Sequence, residues 1–229
     1  TYTALSANSS FASNRIGLGV FASKASQSIT DDYSLYGSYA YKINTKIGIL
    51  AMGLQGGFNQ RTTDYEKLNL LSTDPLMQGA PTRFSPNFGT GIYLANPVYY
   101  IGASVPYILE NIILQNSELT NSDNLSIEKR HYYLSGGFIY SINDHLKISP
   151  GFLLKAQEAI PLSWNANINL IVDEIAYIGL NYRNVGDFGI LGQLILNENL
   201  RVGYAYDINT SDVRINASGS HEIFINYRI

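Results

Sequence analysis

The chain has 229 residues, enough for one large all-β domain or two ordinary domains. Charged residues make up 14% of the chain, against roughly 25% in soluble domains. Its 18 tyrosines exclude a disordered chain, which would be poor in aromatic side chains. The net charge of −3 at pH 7 leaves no basic surface for nucleic acid, and the lack of cysteine excludes disulfides, a thiolate zinc site and a cysteine nucleophile. No run of about 18 apolar residues exists, which excludes a transmembrane helix.

Apolar and polar residues alternate along the whole chain with period two, the pattern of β-strands with one apolar face. Between Leu162 and Leu170, for example, large apolar residues and alanine alternate with serine and asparagine. Many of the predicted strands have nine or more residues, as a tilted strand needs to cross hydrocarbon, whereas strands of soluble proteins usually have five or six. In chain order, the pattern predicts thirteen strands, at residues 2–8, 14–23, 33–43, 46–58, 87–95, 98–106, 130–142, 145–156, 161–172, 175–184, 187–196, 199–208 and 219–228.

The connections between these strands alternate in length. Short connections follow the odd-numbered strands up to the eleventh, whereas residues 24–32, 59–86, 107–129 and 209–218 follow even-numbered strands. Transmembrane barrels have short turns on the periplasmic side and longer loops outside. We therefore predict one antiparallel transmembrane β-barrel domain over residues 1–229, in the outer membrane, with extracellular loops at 59–86 and 107–129. A soluble two-sheet protein, the structural alternative, is disfavoured by the strand lengths and the loop asymmetry.

The number of strands suggests that the barrel includes more than this sequence. If the short turns are periplasmic, the thirteenth strand ends there, and Ile229 is a periplasmic C-terminus. Counting back places Thr1 outside the cell, whereas bacterial single-chain barrels have an even number of strands and begin in the periplasm. We expect a barrel of about fourteen strands, with at least one N-terminal strand missing from this sequence.

Charged residues of the C-terminal strands are predicted to line the barrel interior, because an Arg or Lys on the lipid face costs about 2–4 kcal/mol near the midplane. Enclosed charges must pair or stay hydrated. We expect Glu222 or Asp207 to pair with Arg183 or Arg201. A network that fills the lumen and a contact with a partner remain alternative roles for these candidate residues: Lys155, Arg183, Arg201, Asp207, His221 and Glu222.

The same residues do not predict an enzyme. His221 and Glu222 begin a zinc-protease pattern, but residue 225 is isoleucine and the segment is a strand rather than a helix. Ser220, His221 and Asp207 have the residue types of a hydrolase triad, yet adjacent strand residues point to opposite faces. We therefore predict no catalytic, metal or cofactor site.

Loop 59–86 is long for a connection without a function of its own. Its aromatic and leucine residues either fold back into the lumen as a plug or contact a protein outside the cell, where exposed loops on a rigid scaffold serve recognition. Both alternatives stay open. The candidate partner-binding residues in this loop are Tyr65, Leu68, Leu70, Leu71 and Phe84.

Five segments resemble the PorP/SprF family of Bacteroidetes membrane proteins: 87–93, 150–155, 178–183, 202–207 and 219–223. The resemblance is most specific in the Tyr-Asp pair that ends 202–207 and in the Gly-Ser-His-Glu run that begins 219–223. Family members usually begin with an Asn-Pro-Ala-Tyr-like region, which this sequence lacks. That difference agrees with a missing N-terminal strand.

The resemblance implies a role in type IX secretion. It implies a non-enzymatic barrel that anchors a large surface adhesin, or helps to export it or another cargo, through the cargo's type-B C-terminal domain. Some family members serve gliding motility. The implied partners are the secreted surface protein, other components of the secretion system and the lipid bilayer. A general diffusion porin or nutrient channel is the alternative function, and an outer-membrane hydrolase a less favoured one.

Overall fold

The computed structural model describes residues 1–67, 79–114, 126–127, 129–184, 186–209 and 219–228. A 14-stranded antiparallel sheet contains most of these residues, and a separate two-stranded sheet pairs β7 with β8. The one helical element among them is a 3-10 turn at Tyr65–Lys67. In the described part of the chain, no helix is long and apolar enough to cross a membrane. The strands are β1 (Tyr2–Phe11), β2 (Ile16–Gln27), β3 (Thr30–Thr45), β4 (Gly48–Thr63), β5 (Thr82–Ala95), β6 (Tyr99–Val105), β7 (Ile112–Leu114), β8 (Ser126–Ile127), β9 (His131–Phe138), β10 (Tyr140–Ser141), β11 (Leu146–Gln157), β12 (Ile160–Val172), β13 (Ala176–Arg183), β14 (Asp187–Ile195), β15 (Leu200–Asn209) and β16 (Ser220–Tyr227).

The all-β antiparallel fold predicted from the sequence is confirmed, and each of the thirteen predicted strands corresponds to observed strands. The predicted strand 130–142 is divided into β9 and β10 at Ile139, whose N–H donates to the carbonyl of Val98 at 2.6 Å. Both β7 and β8 begin inside the predicted loop 107–129.

Two further predicted loops are partly strand. Pairing of β2 with β3 continues to Gln27 and Thr30, so the predicted loop 24–32 shrinks to a two-residue turn at Ser28 and Ile29. The predicted loop 59–86 begins only after Thr63, since β4 pairs with β3 to its last residue. These strand ends carry polar residues on both faces, which resemble a loop in sequence although their backbones remain paired.

The chain divides into two compact units. The first unit consists of Thr1–Ile92 and Ser104–His131, and the second of Tyr93–Ala103 and Tyr132–Ile229. In the first, β1 to β4 pair in chain order; in the second, β11 to β16 do so. In each unit the longest connections lie at one end of the strands, which we call the long-connection end, although short turns such as Ser28–Ile29 also occur there. The longest connections are 64–81 and 106–130 in the first unit and 210–219 in the second.

The second unit has one apolar and one polar face. Residues aligned by register alternate between the faces, so the apolar face of β12 carries Leu162, Trp164 and Ile168, which are 51%, 39% and 46% exposed. The polar face of the same strand carries Ser163 and three asparagines. Large apolar side chains therefore point outward, the reverse of a soluble protein. Such a face is stable against lipid and not against water.

The first unit repeats this arrangement in β5. Thr82, Phe84, Pro86 and Phe88 are exposed, whereas the alternating residues are half-buried or buried. Phe58 and Gly56 of β4 contact Phe84 and Phe88, which places all four residues on the apolar face. The buried set therefore lies on the polar face and consists of Arg83, Ser85, Asn87 and Gly89.

A tight turn between β12 and β13 closes the other end of the second unit. Asp173 and Glu174 both adopt positive φ, of 50° and 58°. His145 Nδ1 lies 2.5 Å from Asp173 Oδ1, and the Lys147 ammonium donates to Glu174. The hydrogen bond from Lys147, together with its charge, lowers the pKa of the exposed Glu174 carboxyl. Two neighbouring turns are thus joined outside the apolar band.

Substitution of adjacent residues of β12 tests the assignment of the two faces. We expect Ile168→Arg to destabilise the protein in lipid by about 2–4 kcal/mol, because it puts a charge in the middle of the apolar face. Asn167→Arg, the matched control, places the same charge on the polar face and should cost much less. Urea unfolding in lipid vesicles measures both values. Equal costs for the two variants would show that the faces are wrongly assigned.

Candidate functional site

A polar hollow of about 250 Å³ lies on the polar face of the second unit, between β12 and β16. Register brings Asn167, Asn181, Gly189 and Asp207 into one row across four strands. Glycines leave the space for the hollow, and neighbouring polar side chains lie over them. For example, a Cβ added at Gly179 would be 2.5 Å from Asn169 Oδ1. The hollow therefore offers amide and carboxylate groups. Its polar lining consists of Asn167, Asn169, Asn181, Asp207 and Glu222.

Five of the six charged or histidine candidates share this polar face. Register aligns Lys155 with Ser163, Arg183 with Asn165, and Arg201 with Asn226 on the side of the asparagine rows. Asp207 and Glu222 line the hollow itself. The structure thus brings together side chains from several strands on one surface, while their role as a network or a partner contact remains a prediction.

The expected ion pairs between these candidates do not form. Arg183 Nη1 instead donates to Asp187 Oδ2 at 3.1 Å, because Asp187 lies directly opposite Arg183 across β13 and β14. Asp207 belongs to the next strand, one step further away. Within the described ranges, Asp207 and Glu222 form no salt bridge, and both carboxylates line the hollow.

His221, a candidate for the lumen network or for a partner contact, lies on the opposite face of β16 from Glu222. His221 is aligned with Tyr206 on the apolar face, with ring centroids 4.6 Å apart, and its Nδ1 lies 2.6 Å from the Tyr204 hydroxyl oxygen. Adjacent residues of a strand point to opposite faces, so His221 and Glu222 cannot both face the interior. For the same reason His221 lies on the side away from Ser220 and Asp207, and these three residues do not form a triad.

A second structured region, in the first unit, was not predicted from the sequence. Residues 106–111, here called the strap, follow β6 and lie along the polar face of β5. Asn87 holds the strap and is fully buried. Its Nδ2 donates to the carbonyl of Leu109, and its Oδ1 accepts hydrogen bonds from the N–H groups of Leu109 and Phe88, each at 2.9 Å. One side chain thus satisfies both backbone groups of a residue 22 positions away.

Further contacts hold the strap at both ends. Gln55 Nε2 donates to the carbonyl of Pro106 at 2.9 Å, and the Ile108 N–H donates to the carbonyl of Phe88 at 2.8 Å. Arg130 Nε donates to the carbonyl of Ile108 at 2.7 Å. Gly89 is required for this approach, since a Cβ there would overlap the carbonyl of Pro106. The beginning of the predicted loop 107–129 is therefore fixed to the sheet.

The candidate loop residues have three different outcomes. Tyr65 begins the 3-10 turn, and its N–H donates to the carbonyl of Gly79 at 3.0 Å. Phe84 is not a loop residue: it lies in β5, 59% exposed on the apolar face, with its ring 4.6 Å from that of Phe58. The other three candidates lie outside the described residues: Leu68, Leu70 and Leu71.

Metal chemistry finds no support in the described ranges, where no group of three or more His, Cys, Asp or Glu side chains is placed to hold an ion. The described features are instead an amide-lined hollow, a strap fixed by a buried asparagine and long connections at one end of each unit. An antiparallel sheet with an outward apolar face and a polar opposite face defines a transmembrane β-strand protein of the outer-membrane type.

The chain belongs to the family of type IX secretion system membrane proteins PorP/SprF, whose family model matches residues 1–227. This places it in the outer membrane as a component of that secretion system. Among solved structures, it is similar to two mutants of the porin from Rh. blastica, each at 7% identity, with TM-scores of 0.40 and 0.38. Each match covers 99% of this chain and 89% of the porin. No curated protein matches the chain.

Removal of the Asn87 side chain should release the strap. We expect Asn87→Ala to cost about 1–3 kcal/mol of stability, because it removes three hydrogen bonds of a buried side chain, two of them to the backbone of Leu109. Proteolytic cleavage within residues 107–129 of the folded protein should accelerate. Asn226→Ala, which alters an exposed asparagine, is the control. Unchanged cleavage in Asn87→Ala would mean that other contacts suffice to hold the strap.

The position of His221 on the apolar face leads to a separate prediction. His221→Phe should change the free energy of unfolding by no more than about 1 kcal/mol, because an aromatic ring remains against Tyr206 and only one hydrogen bond is lost. Thermal unfolding in detergent, with Tyr204→Phe as a comparison that removes the same hydrogen bond, measures this. A loss of several kcal/mol would indicate that His221 has polar partners that the register does not explain.

Proposed function

We propose that the protein anchors a large secreted surface protein, or assists its export, by binding that protein's type-B C-terminal domain. Family membership supports the setting, since the chain is a membrane component of type IX secretion. The observation that carries the proposal is the strap fixed by Asn87 at the base of a 25-residue connection, which offers a partner a pre-organised surface. In a gliding bacterium, the cargo would be an adhesin.

The direction of the strands supports an orientation for this surface. Transmembrane barrels place short turns in the periplasm and long loops outside. In the second unit, β16 begins at the long-connection end and ends at Tyr227, next to the tight turns. We therefore propose that the C-terminus is periplasmic and that connections 64–81 and 106–130 reach the cell surface, where the cargo is held.

Two structural features are assigned roles in this proposal. The long connections of the first unit contact the folded cargo domain, with Tyr65 at the start of the first connection. The polar hollow of the second unit receives a segment of the cargo or of another secretion component, for which Asp207 and Glu222 supply negative charge. Lys155, Arg183 and Arg201 extend the same polar face and would orient the segment.

Co-purification tests the proposed function. A tagged form of the whole protein, extracted gently from native outer membranes, should retain a large secreted protein that mass spectrometry identifies. Deletion of residues 68–78 should leave a folded protein, because β4 and β5 lie outside the deletion, but should release the cargo. Lys46→Ala, a substitution in a tight turn at the other end, is the control and should retain cargo.

Two results would contradict this proposal. One is a wild-type protein that carries no secreted partner, and the other is a deletion variant that holds cargo at the wild-type level. In the first case, single-channel conductance in planar bilayers would be measured next, since a large steady open state characterises a diffusion channel.

A further inference from the structure

Positive charge is concentrated at the end of the first unit opposite the long-connection end. Two tight turns lie there, at residues 12–15 and 46–47. All three charged residues of these turns and of the adjoining strand ends are cationic, and we therefore call this region the basic end. Its cations are Arg15, Lys42 and Lys46.

The acidic residues of the first unit belong to other segments. Each Asp and Glu lies in residues 31–32, at the start of β3, or in the connections 64–81 and 106–130. All three segments join the sheet at the long-connection end. Since a strand rises about 3.3 Å per residue, the Cα atoms of Asp32 and Lys42 are roughly 33 Å apart. Salt screens exposed charges over about 8–10 Å. Within the described part of the first unit, no carboxylate therefore neutralises the basic end.

Register places two of the cations side by side. The Lys42 N–H donates to the carbonyl of Arg15 at 2.8 Å, which extends the pairing of β2 with β3 by one residue. Arg15 and Lys42 therefore lie on the same face, on the side opposite Tyr41. Like charges directly opposite each other on neighbouring strands are destabilising. An anion bound between the two cations would remove this repulsion.

The Lys42 side chain is held in position by neutral groups. Its Nζ donates to Ser10 Oγ at 3.0 Å and to Asn14 Oδ1 at 2.7 Å. Both acceptors are uncharged, so these contacts orient the ammonium group without balancing its charge. They use two of its three donors, which leaves the third donor for a ligand. Arg15 and Lys46 are exposed, and neither forms a salt bridge with a described residue.

The direction of these side chains decides what kind of anion can reach them. Tyr41 shares the apolar face with Leu35, which is aligned with Phe58, so Arg15 and Lys42 lie on the polar face. Lipid headgroups flank the apolar face of a membrane strand. A ligand that contacts both cations approaches from the polar side instead, which a segment of a protein can do.

We propose that the basic end binds an acidic segment of a protein partner, whose carboxylates contact Arg15, Lys42 and Lys46. The charge preference follows from the three cations and the lack of a described carboxylate near them. Only the side of the membrane rests on the proposed function: if the long connections reach the cell surface, the basic end faces the periplasm. The partner would then be a periplasmic protein, bound at the end opposite the cargo.

Acidic peptides test this inference on the whole purified protein in nanodiscs of zwitterionic lipid. Three acetylated and amidated probes differ only at three alternate positions, which carry glutamate, glutamine or lysine. The wild-type protein should bind the glutamate peptide at least about tenfold more tightly than the glutamine peptide at low salt. This preference should decrease as sodium chloride is added, because salt screens exposed charges. The lysine peptide should bind no more tightly than the glutamine peptide.

Matched double variants locate the binding. Arg15→Gln/Lys46→Gln should weaken binding of the glutamate peptide about fivefold or more, since it removes two exposed charge contacts. Lys24→Gln/Lys67→Gln removes the same charge from the long-connection end of the same unit and should bind as the wild type does. Reversal of the charge in Arg15→Glu/Lys46→Glu should transfer the preference to the lysine peptide. Urea unfolding in the nanodiscs identifies any variant that fails to fold.

Nanodiscs that contain phosphatidylglycerol test binding of a lipid phosphate instead. The inference is overturned if this lipid stabilises the wild-type protein more than Arg15→Gln/Lys46→Gln while the glutamate peptide binds no better than the glutamine peptide. An equal loss of peptide affinity in Lys24→Gln/Lys67→Gln would also overturn it, because binding would then follow net charge rather than the basic end. Should the basic-end variants fail to fold, the selectivity of the wild-type protein between glutamate and glutamine peptides decides alone.

These results are separable from the proposed function. A wild-type protein that retains cargo but does not prefer the glutamate peptide would leave anchoring intact and remove the basic end as a docking surface. A protein that prefers the glutamate peptide but carries no cargo would give the reverse outcome.

Discussion

The structure depends on one constraint, that each strand presents an apolar face to lipid while its backbone hydrogen bonds are satisfied by neighbouring strands. Lipid offers no partner for an unpaired N–H or carbonyl, so only paired strands can cross it this way. The pairing in turn fixes which side chains share a face, because a shift of the register by one residue would move every side chain of the strand to the opposite face. The amide row of the second unit and the buried set in β5 both follow from this alignment.

The two units use their polar faces differently. In the second unit, glycines at rows otherwise occupied by asparagine and aspartate leave a hollow with two carboxylates. In the first, Gly89 removes a side chain so that the strap can lie against the sheet, where Asn87 binds it. In both units, therefore, a glycine lies beside a polar side chain. In the second unit this leaves the hollow open, and in the first unit the strap occupies the space.

The alternation of apolar and polar residues was enough to predict the strands, because the side chains of odd- and even-numbered residues in a strand point to opposite faces. It was not enough for contacts that join distant segments. Asn87 and Leu109 meet only because β6 returns the chain to β5, and no residue near Asn87 in the sequence predicts this contact. The opposite faces of His221 and Glu222, in contrast, follow from sequence parity alone. The end of β4 was missed because the polar residues there look like a loop while the backbone stays paired.

Strand length explains why the proposed cargo-recognition features lie at the long-connection end. Both β3 and β4 have 16 residues, whereas a tilted strand crosses hydrocarbon with about 9–11. The large apolar positions of β3 run from Leu35 to Ile43, and a tight turn follows soon after Ile43. Most of the excess length therefore extends in the other direction, past Leu35, where Arg61 donates to the Asp32 carboxylate and the pair is free of the cost of burial in hydrocarbon. A paired and extended strand end holds charged side chains more rigidly than a loop would, and a rigid charge loses less entropy when a partner binds.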